Sequence, residues 1–165
     1  MGLTRNPGRV HTSVMQLTSP DFSAGGELPW TMSAANENRL PTLEISDVPA
    51  DAITLALMLE DLDSPVGPIT HWLLWNLPPD TRRLDALSAP RAGRLGMSGF
   101  GKVGYSGPKP PEGRHSYRFT LLALSLRLDL AEGATRKQFD AAIRGHVIDT
   151  ASLEGSIERT NSGGR

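Results

Sequence analysis

GPITHWLLWNLPP, residues 67–79, decides the fold. Two tryptophans, four aliphatic residues and a closing Pro78-Pro79 describe a strand buried on both faces, ended where proline can no longer donate to a ladder. Yet its head is His71, and an ionisable imidazole at the start of a core strand needs a partner or a purpose. Strict alternation would group His71 with Leu73, Trp75 and Leu77 on one face.

The neighbouring segments read the same way. In AITLALMLED, residues 52–61, Ile53, Leu55, Leu57 and Leu59 share a face that ends at Asp61, and Thr54, Ala56 and Met58 form the other. In HSYRFTLLAL, residues 115–124, His115, Tyr117, Phe119 and Leu121 lie opposite Ser116, Arg118 and Thr120. Three central strands thus each carry polar groups at one end of an apolar face. Glycine (17) and proline (13) are spread along most of the chain, the punctuation of many short elements, so the fold class is mainly β. The helical pattern is late: ATRKQFDAAIRGHV, residues 134–147, has a capping box at Thr135 and Gln138 and a stripe of Phe139, Ala142, Ile143 and His146. SLEGSIER, residues 152–159, alternates weakly as a last strand. The connection from Asp80 to Gly113 is too long for an ordinary loop and marks a functional or well-packed irregular region.

With 165 residues, one domain with one core is expected, frayed at 1–10 and 160–165. Seventeen basic against eighteen acidic residues give a formal net charge of −1, which offers no general attraction to nucleic acid or anionic membrane; any anion site must be local. Without cysteine there is no disulfide framework, no thiolate nucleophile and no Cys-ligated zinc. The N-terminal MGLTRNPGRVHTS has no apolar run of signal-peptide length, no stretch approaches the ~20 apolar residues of a spanning helix, and Asn6 stands where a myristoylation signal needs a hydroxyl residue. A soluble, cytoplasmic chain without membrane insertion is the expectation.

GMSGFGKVGYSGPKPPEG, residues 96–113, imitates two nucleotide motifs. Gly99, Gly101 and Gly104 match G-x-G-x-x-G, and Gly96 with Gly101-Lys102 matches most of a P-loop. Val103 replaces the magnesium-binding hydroxyl, and Pro108, Pro110 and Pro111 deny the helix whose N-terminus would face phosphates. Ser98 and Ser106 lack the nucleophile-elbow context and read as turn hydroxyls. Asp61, His71, His115 and Tyr117 are the stronger constellation. They fit an anion site in which imidazoles and a phenol donate while Asp61 fixes a tautomer, a two-His-one-carboxylate metal site, or separately satisfied strand ends.

DLDSP (Asp61–Pro65), THWLLWNLP (Thr70–Pro78) and GYSGPKPPEGRHSYRFTLLAL (Gly104–Leu124) occur in that order, flanked by FSAGGELPWTMSAANEN and ATRKQFDAAIRGHVIDTASLEGSIER. In these stretches the sequence resembles the phosphatidylethanolamine-binding protein family, also called the Raf kinase inhibitor protein family, and in particular its small bacterial branch. The resemblance implies a large central β-sheet packed on a smaller sheet, with a few peripheral helices and a cavity at one sheet end for phosphate-like anions and phospho-headgroups. It puts the pocket aspartate on Asp61, the strand-head histidine on His71, the H-x-Y pair on His115 and Tyr117, and a glycine-proline wall on Gly107, Pro108 and Pro110.

There are departures: Leu62 and Ser64 replace Pro and Ala, Lys109 stands where bacterial members commonly carry Cys, and the short span from Pro65 to His71 omits an aromatic wall, opening the pocket. The implied function is a non-catalytic binding protein for a small phosphorylated or anionic ligand, with no cofactor and no metal, extending to inhibition of a kinase or protease. The alternative is a hydrolase using His71 and His115 with a bound water. A two-fold homodimer is the commonest assembly for such a chain.

Overall fold

The computed structural model describes residues 14–110 and 112–159. The termini expected to fray, the Asn6 position and Pro111 lie outside those residues. Two antiparallel sheets share a core. The small sheet has the order β1 (Gln16–Thr18), β2 (Leu43–Ser46), β5 (Arg83–Leu84). In the large sheet β6 (Arg94–Leu95) pairs with β4 (Ile69–Leu77), β4 with β3 (Thr54–Asp61), β3 with β7 (Gly113–Leu124), and β7 with β8 (Val147–Arg159). Helices are short: α1 (Ala89–Ala92) and α2 (Arg136–Ile143).

The two faces of β3 bury different things, as its alternation requires. Leu55, Leu57 and Leu59 join Phe119, Leu121 and the small sheet's Leu17, Leu43 and Ile45 in one apolar layer. Ala56 and Met58 join Leu73, Trp75, Leu122 and Phe139 in a second layer beneath α2. Helix α2 starts where the capping box predicts: Thr135 Oγ1 accepts from the Gln138 N–H at 3.2 Å, and Gln138 Oε1 accepts from the Thr135 N–H at 2.9 Å. Phe139 is its buried anchor, whereas His146 lies beyond the helix and is exposed.

Strand β4 departs from simple alternation. Its register against β3 shifts twice, once between the Leu55 and Leu57 pairings and once between Leu59 and Glu60. Leu59 pairs with Trp72 and Glu60 with Thr70, so His71 is an extra residue with no opposite number. The alternation expected from sequence therefore fails. Leu73 and Trp75 face α2, while Trp72, Leu74 and Leu77 face the small sheet. Ile53 also leaves its expected face, because β3 begins at Thr54 and Ile53 is exposed. Strand β8 is longer than the weak alternation of residues 152–159 suggested, because β7 supplies a continuous partner from Gly113 to Leu124.

The bulge between the Leu55 and Leu57 pairings is held by Asn76, which is buried with φ 59° and closes on Leu128. Its Oδ1 accepts the Leu128 N–H at 2.8 Å and its Nδ2 donates to the Leu128 carbonyl at 2.9 Å. Asn76→Ala strands both backbone groups in an apolar layer, and each costs about 1–3 kcal/mol. The expected result is a lower denaturant midpoint at unchanged m-value, corresponding to ~2–4 kcal/mol.

Candidate functional site

The β3–β7 register sets Asp61 opposite Tyr117, which puts Asp61, His115 and Tyr117 on the small-sheet face at one end of the large sheet. The bulge at His71 turns that imidazole toward the same face. His71 and Tyr117 meet edge to face with ring centroids 5.5 Å apart, and His115 and Tyr117 lie 6.5 Å apart. All four groups are buried, Asp61 at 6% exposure, His71 at 2%, His115 at 8% and Tyr117 at 0%.

Each polar atom that fixes the geometry has a named partner. Asp61 Oδ2 accepts from His115 Nδ1 at 2.7 Å, and Asp61 Oδ1 accepts from the Asp63 N–H at 2.8 Å. Asp63 in turn accepts the Ser116 N–H at 2.6 Å, tying the DLDSP turn to β7. His71 Nδ1 donates to the Ser106 carbonyl at 2.7 Å while the Ser106 N–H donates to the His71 carbonyl at 2.9 Å. Both rings are thereby held through Nδ1, leaving Nε2 as the nitrogen available to a ligand. Among the described residues no three His, Cys, Asp or Glu side chains group for a metal ion.

Burial, the largest influence on His71, lowers its pKa from the usual 6.5; backbone hydrogen bonding from Ser106, the charge of Asp61 and hydrogen bonding from Gly107 oppose it, and His115 adds to the lowering. Tyr117 is pushed upward, first by burial, then by the negative charges of Asp61 and Asp63, and last by the nearby Asp61 carboxylate as an acceptor, which falls short of full hydrogen-bond geometry; its hydroxyl stays a donor. No acceptor for that hydroxyl lies within hydrogen-bond geometry among the described residues. Trp75 Nε1 shares that property in the layer beneath α2, so the lack of an acceptor alone does not mark a site. What distinguishes Tyr117 is the pair of imidazoles around its ring.

The loop from Gly96 to Pro110 closes the region. Gly107 passes so near the 30–38 segment that a Cβ there would overlap the Met32 carbonyl oxygen, and its N–H donates to Asn38 Oδ1 at 2.6 Å. Pro108 and Pro110 are buried, whereas Lys109 and Lys102 point to solvent. Ser98 is the expected turn hydroxyl, accepting the Phe100 N–H at 3.3 Å, and that turn projects Phe100 onto His71 with centroids 4.9 Å apart. Ser106 contributes through its main chain rather than its hydroxyl. Sequence reading missed Phe100 and Asn38: Phe100 was hidden in a motif judged only as a failed P-loop, and Asn38 acts across 69 residues.

A family model described as phosphatidylethanolamine-binding protein matches residues 18–158. The chain belongs to the phosphatidylethanolamine-binding protein family. It is 39% identical over 151 residues to the UPF0098 protein of Methanothermobacter thermautotrophicus, covering 88% of this chain and 99% of that protein. The putative phosphatidylethanolamine-binding protein homolog CT736 of Chlamydia trachomatis superposes with a TM-score of 0.84 at 37% identity, over 89% of this chain and 99% of that one. Escherichia coli YbcL, titled a new member of the mammalian PEBP family, shares the fold at TM-score 0.82 and 23% identity, over 88% of this chain and 99% of that one.

The chain is a binding protein of the phosphatidylethanolamine-binding kind. The span from Pro65 to His71 is short and carries no aromatic residue, and Phe100, 51% exposed, packs on His71 from the other loop.

His71 also makes stability depend on pH. The unfolded chain binds its proton near ~6.5 and the folded chain resists, so protonation favours unfolding. That contribution is complete above about pH 6.5 and is lost as pH falls below it. Denaturation between pH 7.5 and 5 should show falling stability, with a shallower fall in His71→Gln.

Proposed function

We propose that the chain is a non-catalytic binding protein whose site holds a phosphate-like anion or phospho-headgroup between His71, His115 and Tyr117, with Asp61 as the positioning carboxylate. The observation that carries this reading is the shared commitment of both Nδ1 atoms to protein acceptors around one buried phenol donor. Protonated, each Nε2–H donates to an anionic oxygen, and Tyr117 adds a neutral donor. Gly107, Pro108 and Pro110 form the close wall, and half-exposed Phe100 meets whatever organic group the anion carries. Phosphorylated side chains of a protein partner present the same oxygens, which extends the reading to inhibition of a kinase or protease.

The hydrolase alternative draws less support. Tyr117 is held protonated by burial and neighbouring charge, Ser106 acts through its backbone, and the Ser98 hydroxyl serves its own turn. None of these is an activated nucleophile, so a hydrolase would depend on a bound water with His71 and His115 alone as base and acid.

Calorimetry with inorganic phosphate and phosphoethanolamine tests the proposal. His71→Ala should weaken both by about 10–100-fold, the value of a charge-assisted hydrogen bond. Tyr117→Phe should weaken them ~3–10-fold while leaving the fold as stable or more so, because it removes a buried donor without an acceptor. Wild-type protein that binds neither compound contradicts the reading.

Binding should also take up protons. Nε2 must be charged to donate, and the free His71 resists charging, so affinity for sulfate, a phosphate-like anion that stays a dianion throughout, is expected to rise as pH falls from about 7.5 to 5.5, through the range where histidine titrates. Titrations in two buffers of different ionisation enthalpy measure the uptake directly. Proton-neutral binding would mean that neutral donors do the holding.

A further inference from the structure

None of Asp61, His71, His115 and Tyr117 lines the 510 Å³ cavity on the other side of the residues that support them. Its size lies in the range of small-molecule sites, about 300–1,000 Å³. Trp72, Leu40 and Ala89 are buried at its floor, and Trp72 meets Tyr105 edge to face at 6.3 Å and 89° to make an aromatic corner. Leu87 is 88% exposed at its mouth, a large apolar side chain left in water. The charges lining it, Glu37 and Arg39, are both exposed and opposite in sign, so neither cations nor anions are selected.

Three lining residues are also supports of the four-residue site. Trp72 follows His71 in β4; Tyr105 precedes Ser106, whose N–H and carbonyl both bond to His71; Asn38 holds the Gly107 N–H. The Tyr105 hydroxyl donates to the Met32 carbonyl at 2.9 Å, so the ring spans from that anchor to the loop.

We propose that this cavity is a second ligand site for a neutral aromatic molecule of one or two fused rings, and that its occupation tightens anion binding at the four-residue site. A ring packed in the Trp72–Tyr105 corner adds apolar contact to a Tyr105 already anchored at the Met32 carbonyl, and so further stiffens the Ser106 carbonyl that orients His71. Ordering that support beforehand removes part of what the anion must otherwise order, giving positive coupling. The coupling rests on the proposed anion site; the cavity does not.

The test uses 2-naphthol and inorganic phosphate, titrated calorimetrically into the full chain. One equivalent of 2-naphthol is expected to bind, at least tenfold more weakly in Leu87→Asp, which alters an exposed residue, and in Ala86→Trp, whose indole occupies the mouth. 2-Naphthoate, the same rings with a charge to desolvate, should bind more weakly than 2-naphthol. Saturating 2-naphthol should tighten phosphate binding by about fivefold, the low end of ordinary allosteric coupling.

Absent 2-naphthol binding, binding unchanged in both variants, or competition with phosphate would overturn the second site. Phosphate affinity unmoved by bound 2-naphthol would overturn the coupling. Absent phosphate binding while 2-naphthol binds would sink the anion reading and the coupling with it, leaving the cavity standing.

Discussion

The extra residue in β4 is the constraint on which the site depends. A strand alternates, and without the bulge between Trp72 and Thr70 the imidazole of His71 would lie beneath α2 with Leu73 and Trp75. With it, Trp72 keeps its place in the layer between the sheets while His71 turns to Tyr117. The irregularity is held from both sides. On one, the Ser106 backbone exchanges two hydrogen bonds with His71; on the other, Arg136 of α2 bonds Thr70 Oγ1 at 3.1 Å and Glu60 at 2.9 Å.

Given that bulge, the rest of the site follows from register. Asp61 opposite Tyr117 fixes the carboxylate beside His115, and the Asp61–Asp63 turn delivers Ser116 its partner. A buried carboxylate is tolerated because both of its oxygens are hydrogen-bonded. Asp61 orients His115 and the Ser106 carbonyl orients His71, which is why the two histidines present the same ring nitrogen. Function and fold thus share the same few bonds, and the loop that closes the site is also the wall of the neighbouring cavity.

The sequence revealed what local pattern can reveal. Alternation located β3 and β7, the capping box located α2, and polar groups at the ends of apolar faces located Asp61, His115 and Tyr117. The position of His71 was also legible, but not how it gets there, since a bulge changes the count of residues across a ladder and leaves no mark in one strand's own periodicity. Phe100 and Asn38 were illegible for a related reason. Their roles arise from contacts with segments far away in the chain, and the Gly-rich loop that carries Phe100 has no periodicity to read. The family resemblance supplied the sheet-on-sheet arrangement; spacing alone yielded only a β-rich chain.

The most direct test of a single anion site is long-range proton–nitrogen NMR of the imidazoles during a phosphate titration. Both Nε2 resonances should move together toward the protonated pattern, with one affinity, while the Nδ1 resonances of His71 and His115 keep their hydrogen-bonded shifts. Phosphate that binds while both rings stay unchanged would place the anion elsewhere and contradict the account.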